Sequence, residues 1–199
     1  MFKLYGFSGS GNCYKVSLLL TQLQQSFEWI EIDILQRESR TPEFLAKNPN
    51  GKIPTLELAP GKFLWESNAI LYFLSTNTAL LPDDLWLRSQ VLQWLFFEQY
   101  SHEPYIATSR FLIRYLKGAE EYQDILAAKL PRGYEALDVM ENHLNQHSFF
   151  VAERYTIADI ALYAYTHVAE EGGFDLSKYK AIQAWFDRVE SQPNYISIE

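Results

Sequence analysis

Asn48-Pro49-Asn50-Gly51-Lys52-Ile53-Pro54, joined twelve residues later by Glu66-Ser67-Asn68, is the part of the chain from which the rest is best read. A proline that opens a strand carries no N–H, and in the cis form it turns the preceding backbone outward, so Ile53 can offer its N–H and C=O to an extended peptide. Glu66-Ser67 falls where a strand gives way to a helix, and the amides of a first helical turn suit a carboxylate. Together the two segments suggest a peptide-like ligand.

Strands and helices alternate around this stretch. Residues 2–7 read as a strand, Val16, Leu19, Leu20 and Leu23 share one face of a helix, and Ile30, Ile32 and Ile34 alternate as a second strand. Strand, helix and strand in that order imply a parallel pair joined by a right-handed crossover. Thr41-Pro42-Glu43 predicts a helix start with a capping hydroxyl and a proline in the first turn. Strands over residues 53–58 and 63–66 flank Ala59-Pro60-Gly61-Lys62, whose centre fits a type II turn, and a third helix follows over Ser67–Ser75.

Residues 77–84 resemble a linker, and past them the periodicity becomes helical at Val91 and Leu95, at Leu137, Met140 and Leu144, and at Ile182, Trp185, Phe186 and Val189. Tyr155-Thr156-Ile157-Ala158-Asp159-Ile160 predicts a capped helix start: Thr156 receives the Asp159 amide, the Asp159 carboxylate reaches back, and Tyr155 packs on Ile160. Pro131 with Gly133 predicts a kink or break in a long helix. The expected fold is α/β plus all-α, with a thioredoxin-like βαβαββα domain over residues 1–78, a linker over 79–85 and an all-helical domain over 86–199.

Composition sets the outer bounds. A chain of 199 residues that is 48% hydrophobic and 16% aromatic supports a substantial core. Its start shows no secretory pattern, and no apolar run approaches the ~20 residues that span a bilayer, so no membrane partner is expected. A single cysteine, Cys13, excludes an internal disulfide framework and suits a reducing, cytoplasmic setting. Residues 1–78 hold 7 Lys/Arg and 7 Asp/Glu, whereas residues 79–199 hold 10 and 18, which accounts for the net charge of −8. That acidic balance disfavours nucleic acid as a partner. No spacing of histidine, cysteine and carboxylate points to a metal, and the four histidines lend no support to a Ser-His-Asp triad.

A G-K-I-P strand start, a hairpin and an E-S-N helix start, in this order over nearly the whole chain, resemble the soluble (cytosolic) glutathione S-transferase family, and the loop before the first helix resembles its serine-type bacterial members. The resemblance implies glutathione as co-substrate. Pro54 would then be cis, Ile53 would pair with the cysteinyl backbone of glutathione, and Glu66 and Ser67 would hold its γ-glutamyl end. Arg40 and Lys52, just before the T-P-E helix start and the I-P pair, would contact the glycine carboxylate. Ser10 would stabilise the thiolate, because Ser10-x-x-Cys13 followed by Val16 and Leu19 matches the serine-type turn. Ser8 is the alternative donor, Asn12 a possible second one, and Tyr5 stands where other branches place a phenol, although an aromatic in a strand accounts for it. A helix dipole and a hydroxyl at this turn are the two effects able to favour a thiolate.

Cys13 can be read as a low-pKa thiol forming a mixed disulfide or as a small apolar group on the inner face of the first helix. Contacts to an electrophilic, apolar small molecule are expected from Tyr100, His102, Tyr105, Arg110, Phe111, Arg114 and Tyr115, which equally suit core or dimer positions. The expected protein is a homodimeric, detoxification-type glutathione transferase. A glutathione-dependent disulfide reductase or peroxidase, or a non-catalytic adaptor, are the alternatives, since a fold does not choose its chemistry.

Overall fold

The computed structural model describes residues 1–118 and 120–198, and its contacts divide them into two compact units. The first comprises residues 1–76 together with the tail from Gln192 onward, and the second comprises residues 77–191. The tail, which sequence alone groups with the helical segment, thus belongs with the first unit.

The first unit runs β1 (Phe2–Gly6), α1 (Gly11–Gln22), β2 (Phe27–Glu31), α2 (Pro42–Leu45), β3 (Thr55–Ala59), β4 (Lys62–Trp65) and α3 (Ser67–Ser75). The sheet order is β2-β1-β3-β4, with β1 parallel to β2 and antiparallel to β3, and β3 antiparallel to β4. This is the expected thioredoxin-like arrangement. Leu4, Val16, Leu20, Leu56 and Ile70 are fully buried between sheet and helices, and each side chain of that size contributes roughly 1.5–3 kcal/mol of burial.

Two strand boundaries differ from expectation. β2 ends at Glu31, and Ile34 lies outside it: Ile32 N–H donates to Gly6 O at 2.7 Å, after which Asp33 Oδ1 accepts from Leu35 and Gln36 amides at 2.8 and 3.1 Å and turns the chain. An Asx turn therefore cuts the isoleucine alternation short. β3 begins at Thr55, because Pro54 has no amide for the ladder; the Ile53–Pro54 bond before it is cis. The hairpin turn holds Gly61 at φ +75°, as a type II turn requires at its third position.

The second unit contains α4 (Leu85–Phe97), α5 (Glu103–Arg110), α6 (Gln123–Leu144), α7 (Ile157–Thr166) and α8 (Lys180–Glu190), with π-helical turns at Glu98–His102 and Phe111–Tyr115. Asp84 caps α4 by accepting from the Leu87 amide at 2.9 Å. The capping box at Thr156 and Asp159 is present as expected. Asp159 is fully buried and also accepts from Trp185 Nε1 at 3.0 Å on α8 and from the Phe150 amide at 3.2 Å, so one carboxylate joins three segments.

α6 does not break at Pro131; it continues through it. The ring removes the bond that its own N–H would have made and crowds the carbonyl one turn back, yet the 13 residues after it hold the helix. Gly133 has a different reason: a Cβ there would fall inside the van der Waals envelope of the Phe174 ring, which is 2% exposed. Gly133→Ala is accordingly expected to destabilise the protein by about 1–3 kcal/mol, the usual cost of overpacking, measured as a fall in the urea midpoint.

Candidate active site

Asn48 organises the loop that leads into β3. It is 1% exposed, its Nδ2 donates to Lys52 O at 2.7 Å and Thr55 Oγ1 at 3.2 Å, and its Oδ1 accepts from the Asn50 amide at 3.0 Å. The loop between Asn48 and Thr55 is thereby closed on itself, with the cis Ile53–Pro54 bond at its end. Arg40 lies across the same loop, its Nη1 donating to Asn50 O at 3.0 Å, and Gly51 permits this: φ is +61°, and a Cβ would meet Arg40 Nη1 at 2.7 Å. Lys52 is exposed. Sequence reasoning assigned no role to Asn48, although an asparagine two residues before an amide it can accept is a recognisable turn signal.

Glu66 ends the hairpin with φ +71° and ψ 112°, a region that non-glycine residues seldom occupy and that costs on the order of 1–3 kcal/mol. Its Oε1 accepts from Asn50 Nδ2 at 3.4 Å, which links the two segments that sequence singled out. Ser67 is the first residue of α3 and 4% exposed. Its hydroxyl donates to Asn12 Oδ1 at 3.2 Å, so the start of α1 meets the start of α3. Each helix start carries free first-turn amides and the positive end of its dipole, which favour negative charge.

The two candidate serines differ in their commitments. Ser8 is exposed, and both its hydroxyl and its amide donate to the Glu31 carboxylate at 2.8 and 2.9 Å, which also accepts from Trp29 Nε1 at 2.7 Å. Its hydrogen is spent. Ser10 is the N-cap of α1, and its Oγ accepts a long bond of 3.4 Å from the Cys13 amide. No oxygen or nitrogen among the described residues accepts the Ser10 hydroxyl hydrogen, whose side-chain partner is the Cys13 thiol, and it sits at the positive end of α1.

The remaining candidates have structural places. Cys13 is fully buried, and that burial pushes its thiol up to about 12, against weaker help from backbone and Ser10 hydrogen bonds. These are the surroundings of a small apolar residue on the inner face of α1, and they disfavour the thiolate that a nucleophile needs. Tyr5 is likewise pushed up to about 12, by burial first and then by donating to Glu57 Oε2 at 2.9 Å. Its ring lies under Lys47 Nζ at 5.7 Å, on the sheet face opposite Leu4. Lys15, which the sequence pattern did not distinguish, is fully buried, with its Nζ donating to Asn12 Oδ1 at 2.8 Å and to Ser67 Oγ at 3.4 Å.

A cavity of about 390 Å³ opens beside Ser10 within the first unit, walled by Phe7, Tyr14, Phe27, Trp29 and Ile196. Tyr14 donates its hydroxyl to Ile196 O at 2.7 Å and so holds the tail as one wall. The residues expected to line such a pocket from the helical segment do not converge. Tyr100 and Tyr105 border a separate cavity, also of about 390 Å³, whereas His102 is buried against Thr166 Oγ1 at 2.9 Å, and Arg110 is buried with its Nε donating to Glu171 at 2.7 Å. Arg114 pairs with the same Glu171, and Phe111 packs on Tyr115 with ring centroids 6.0 Å apart. Two π-helical turns interrupt the segment, so neighbours in sequence face different directions.

No helix among the described residues is long and apolar enough to cross a membrane, and no cluster of three potential metal ligands occurs among them. Residues 4–80 match the family model for the glutathione S-transferase amino-terminal domain, and residues 93–193 match that for its carboxy-terminal domain. The crystal structure of a glutathione S-transferase from Pseudomonas fluorescens Pf-5 is 56% identical with a TM-score of 0.97, covering 99% of this chain and 98% of that one. The disulfide-bond oxidoreductase YfcG of Escherichia coli K12 is 30% identical over 97% of this chain and 92% of its own. A glutathione transferase from Pseudomonas putida, crystallised with one glutathione disulfide per subunit, is 26% identical with a TM-score of 0.84, covering 97% of this chain and 88% of that one.

Proposed function

Since the chain belongs to the glutathione S-transferase family of enzymes, over both of the family's domains, we propose that it is a serine-type member in which Ser10 activates the thiol of bound glutathione for attack on an apolar electrophile. Main-chain atoms of Ile53, beside Pro54, pair with the cysteinyl residue. Glu66 and Ser67 take the γ-glutamyl end, and Lys52 and Arg40 face the glycine carboxylate. Asn12 stands next to the sulfur as a second polar contact. The observation that carries this reading is the Ser10 hydroxyl at the start of α1, which meets only the weakly accepting Cys13 thiol while the Ser8 hydrogen is held by the Glu31 carboxylate.

The energetics suffice. Lowering a thiol from its usual ~8.5 by about two units needs ~2.7 kcal/mol of differential stabilisation. One hydrogen bond to a charged sulfur supplies roughly 1.5–3 kcal/mol and the helix dipole roughly 0.3–1 more. The protein forms no covalent intermediate; it supplies the ionised sulfur and holds the electrophile near it. The cavity beside Ser10, with its aromatic walls and tail, suits a neutral apolar electrophile. Glutathione-dependent consumption of an activated aryl halide, followed against a no-enzyme control, tests this, and a rate equal to the control would overturn it.

Similarity to a disulfide-bond oxidoreductase and to a transferase holding glutathione disulfide favours a second reading for the same seat. Bound glutathione thiolate attacks one sulfur of a substrate disulfide and expels the other as thiolate. A second glutathione thiolate then attacks the mixed disulfide, leaving glutathione disulfide and the reduced substrate. Neither reaction uses Cys13. Cys13→Ala is therefore expected to keep both the transferase and the reductase rate within about twofold of wild type, whereas a low-pKa thiol in the cycle would make the variant inactive in the reductase assay.

We also read the chain as a homodimer. Phe73 on α3 and Trp86, Phe96 and Tyr100 at and beyond α4 are 49–83% exposed, which suits burial against a second copy. Sedimentation at micromolar concentration distinguishes a dimer from a monomer.

A further inference from the structure

Lys15 is fully enclosed, yet its ammonium contacts the two residues where α1 and α3 begin their approach to the seat: Asn12 Oδ1 at 2.8 Å and Ser67 Oγ at 3.4 Å. A lysine ammonium donates and never accepts, so the Asn12 atom facing it has to be the amide oxygen. That fixes the amide. Its NH₂ branch is turned away from Lys15, and its oxygen receives a second bond from the Ser67 hydroxyl at 3.2 Å. Ser67 is thus held by donors and acceptors together: its hydrogen points to Asn12 while its oxygen accepts from Lys15.

The arrangement has a consequence when a carboxylate arrives at the start of α3. Ser67 can rotate its hydrogen from Asn12 to the incoming oxygen, because Asn12 Oδ1 retains the shorter bond to Lys15 and is not left bare. A buried positive charge beneath both helix starts also adds to their dipoles, in surroundings where charge is weakly screened. Resting on the assignment of Ser67 to the γ-glutamyl end, we propose that Lys15 is a positioning residue for glutathione: it fixes the Asn12 amide and frees the Ser67 hydroxyl to bind the γ-glutamyl carboxylate.

The test compares glutathione with cysteinylglycine, which has the same thiol but lacks the γ-glutamyl arm, in wild type and in Lys15→Met. Wild type is expected to prefer glutathione in kcat/KM. In Lys15→Met that preference is expected to shrink by about tenfold or more, chiefly through the KM for glutathione, while cysteinylglycine, which feels only the change at Asn12 and not that at Ser67, loses much less. A purely structural role would lower both rates together and leave the ratio intact, and that result would overturn the inference. Should Lys15→Met not fold by circular dichroism, Lys15→Leu, which likewise removes the donor to Asn12 and Ser67, is put through the same comparison. A reduced preference there supports the inference and an unchanged one overturns it. A wild type that shows no preference at all sinks the glutathione reading itself, which separates the two failures.

Discussion

Ser10→Ala is expected to reduce kcat/KM with an activated aryl halide by about 10- to 100-fold near neutral pH, the rate equivalent of one hydrogen bond to a charged sulfur. The pH profile carries the diagnostic sign. A hydroxyl that stabilises the thiolate lowers the pKa of bound glutathione, so the wild-type rate rises with pH through a depressed value and is already high at neutrality. Without the hydroxyl the acidic limb should move upward by about one to two units, and the variant should recover much of its rate at alkaline pH. Affinity for glutathione should change little at low pH, because the main-chain contacts at Ile53 and the turn at Glu66 and Ser67 remain. An unchanged pH limb would assign thiol activation elsewhere, first to Asn12.

The largest loss of stability is expected from Asp159→Ala, at about 3–5 kcal/mol, seen as a fall in Tm of about 10 °C for a chain of this size. The carboxylate receives four bonds: Phe150 N at 3.2 Å and Trp185 Nε1 at 3.0 Å on one oxygen, Thr156 N at 2.9 Å and Thr156 Oγ1 at 3.2 Å on the other. Alanine leaves the Phe150, Trp185 and Thr156 N–H groups buried without an acceptor and opens a cavity among aromatic rings, where Phe150 and Trp185 centroids are 5.2 Å apart. Asp159→Asn should lose less, because it preserves an acceptor for Trp185 and Phe150 while turning an amide toward the Thr156 donors. A loss under about 1 kcal/mol for the alanine variant would mean that the network is incidental to the fold.

Much of this was legible in the chain because its local signals agree with one another. The Thr41-Pro42 and Thr156–Asp159 helix starts and the Pro60-Gly61 turn follow from local chemistry, the cis Ile53–Pro54 bond follows from the family resemblance, and each stands where expected. What sequence missed depended on contacts far apart along the chain. Lys15 looks like any lysine on a helix until Ser67, 52 residues later, is seen to face it. Asn48 closes its loop through Lys52 and Thr55, and Asp159 gains Trp185 only after α8 packs back. The errors have the same origin. The isoleucine alternation points to a strand through Ile34 because an Asx turn is the weaker sequence signal, and of the kink or break that Pro131 predicts, the break is absent because the rest of α6 holds. For the helical-segment residues the sequence leaves pocket and core open alike, and π-helical turns send neighbours to different partners, with His102 and Arg110 in the core.

A crystal structure of the protein with glutathione is the most direct measurement. The expected result is a sulfur atom within about 3.5 Å of Ser10 Oγ, the cysteinyl backbone paired with Ile53, and the γ-glutamyl carboxylate at Ser67. A tripeptide whose sulfur lies nearer Ser8 than Ser10, or one bound away from the Ile53–Pro54 bond altogether, would contradict the assignment.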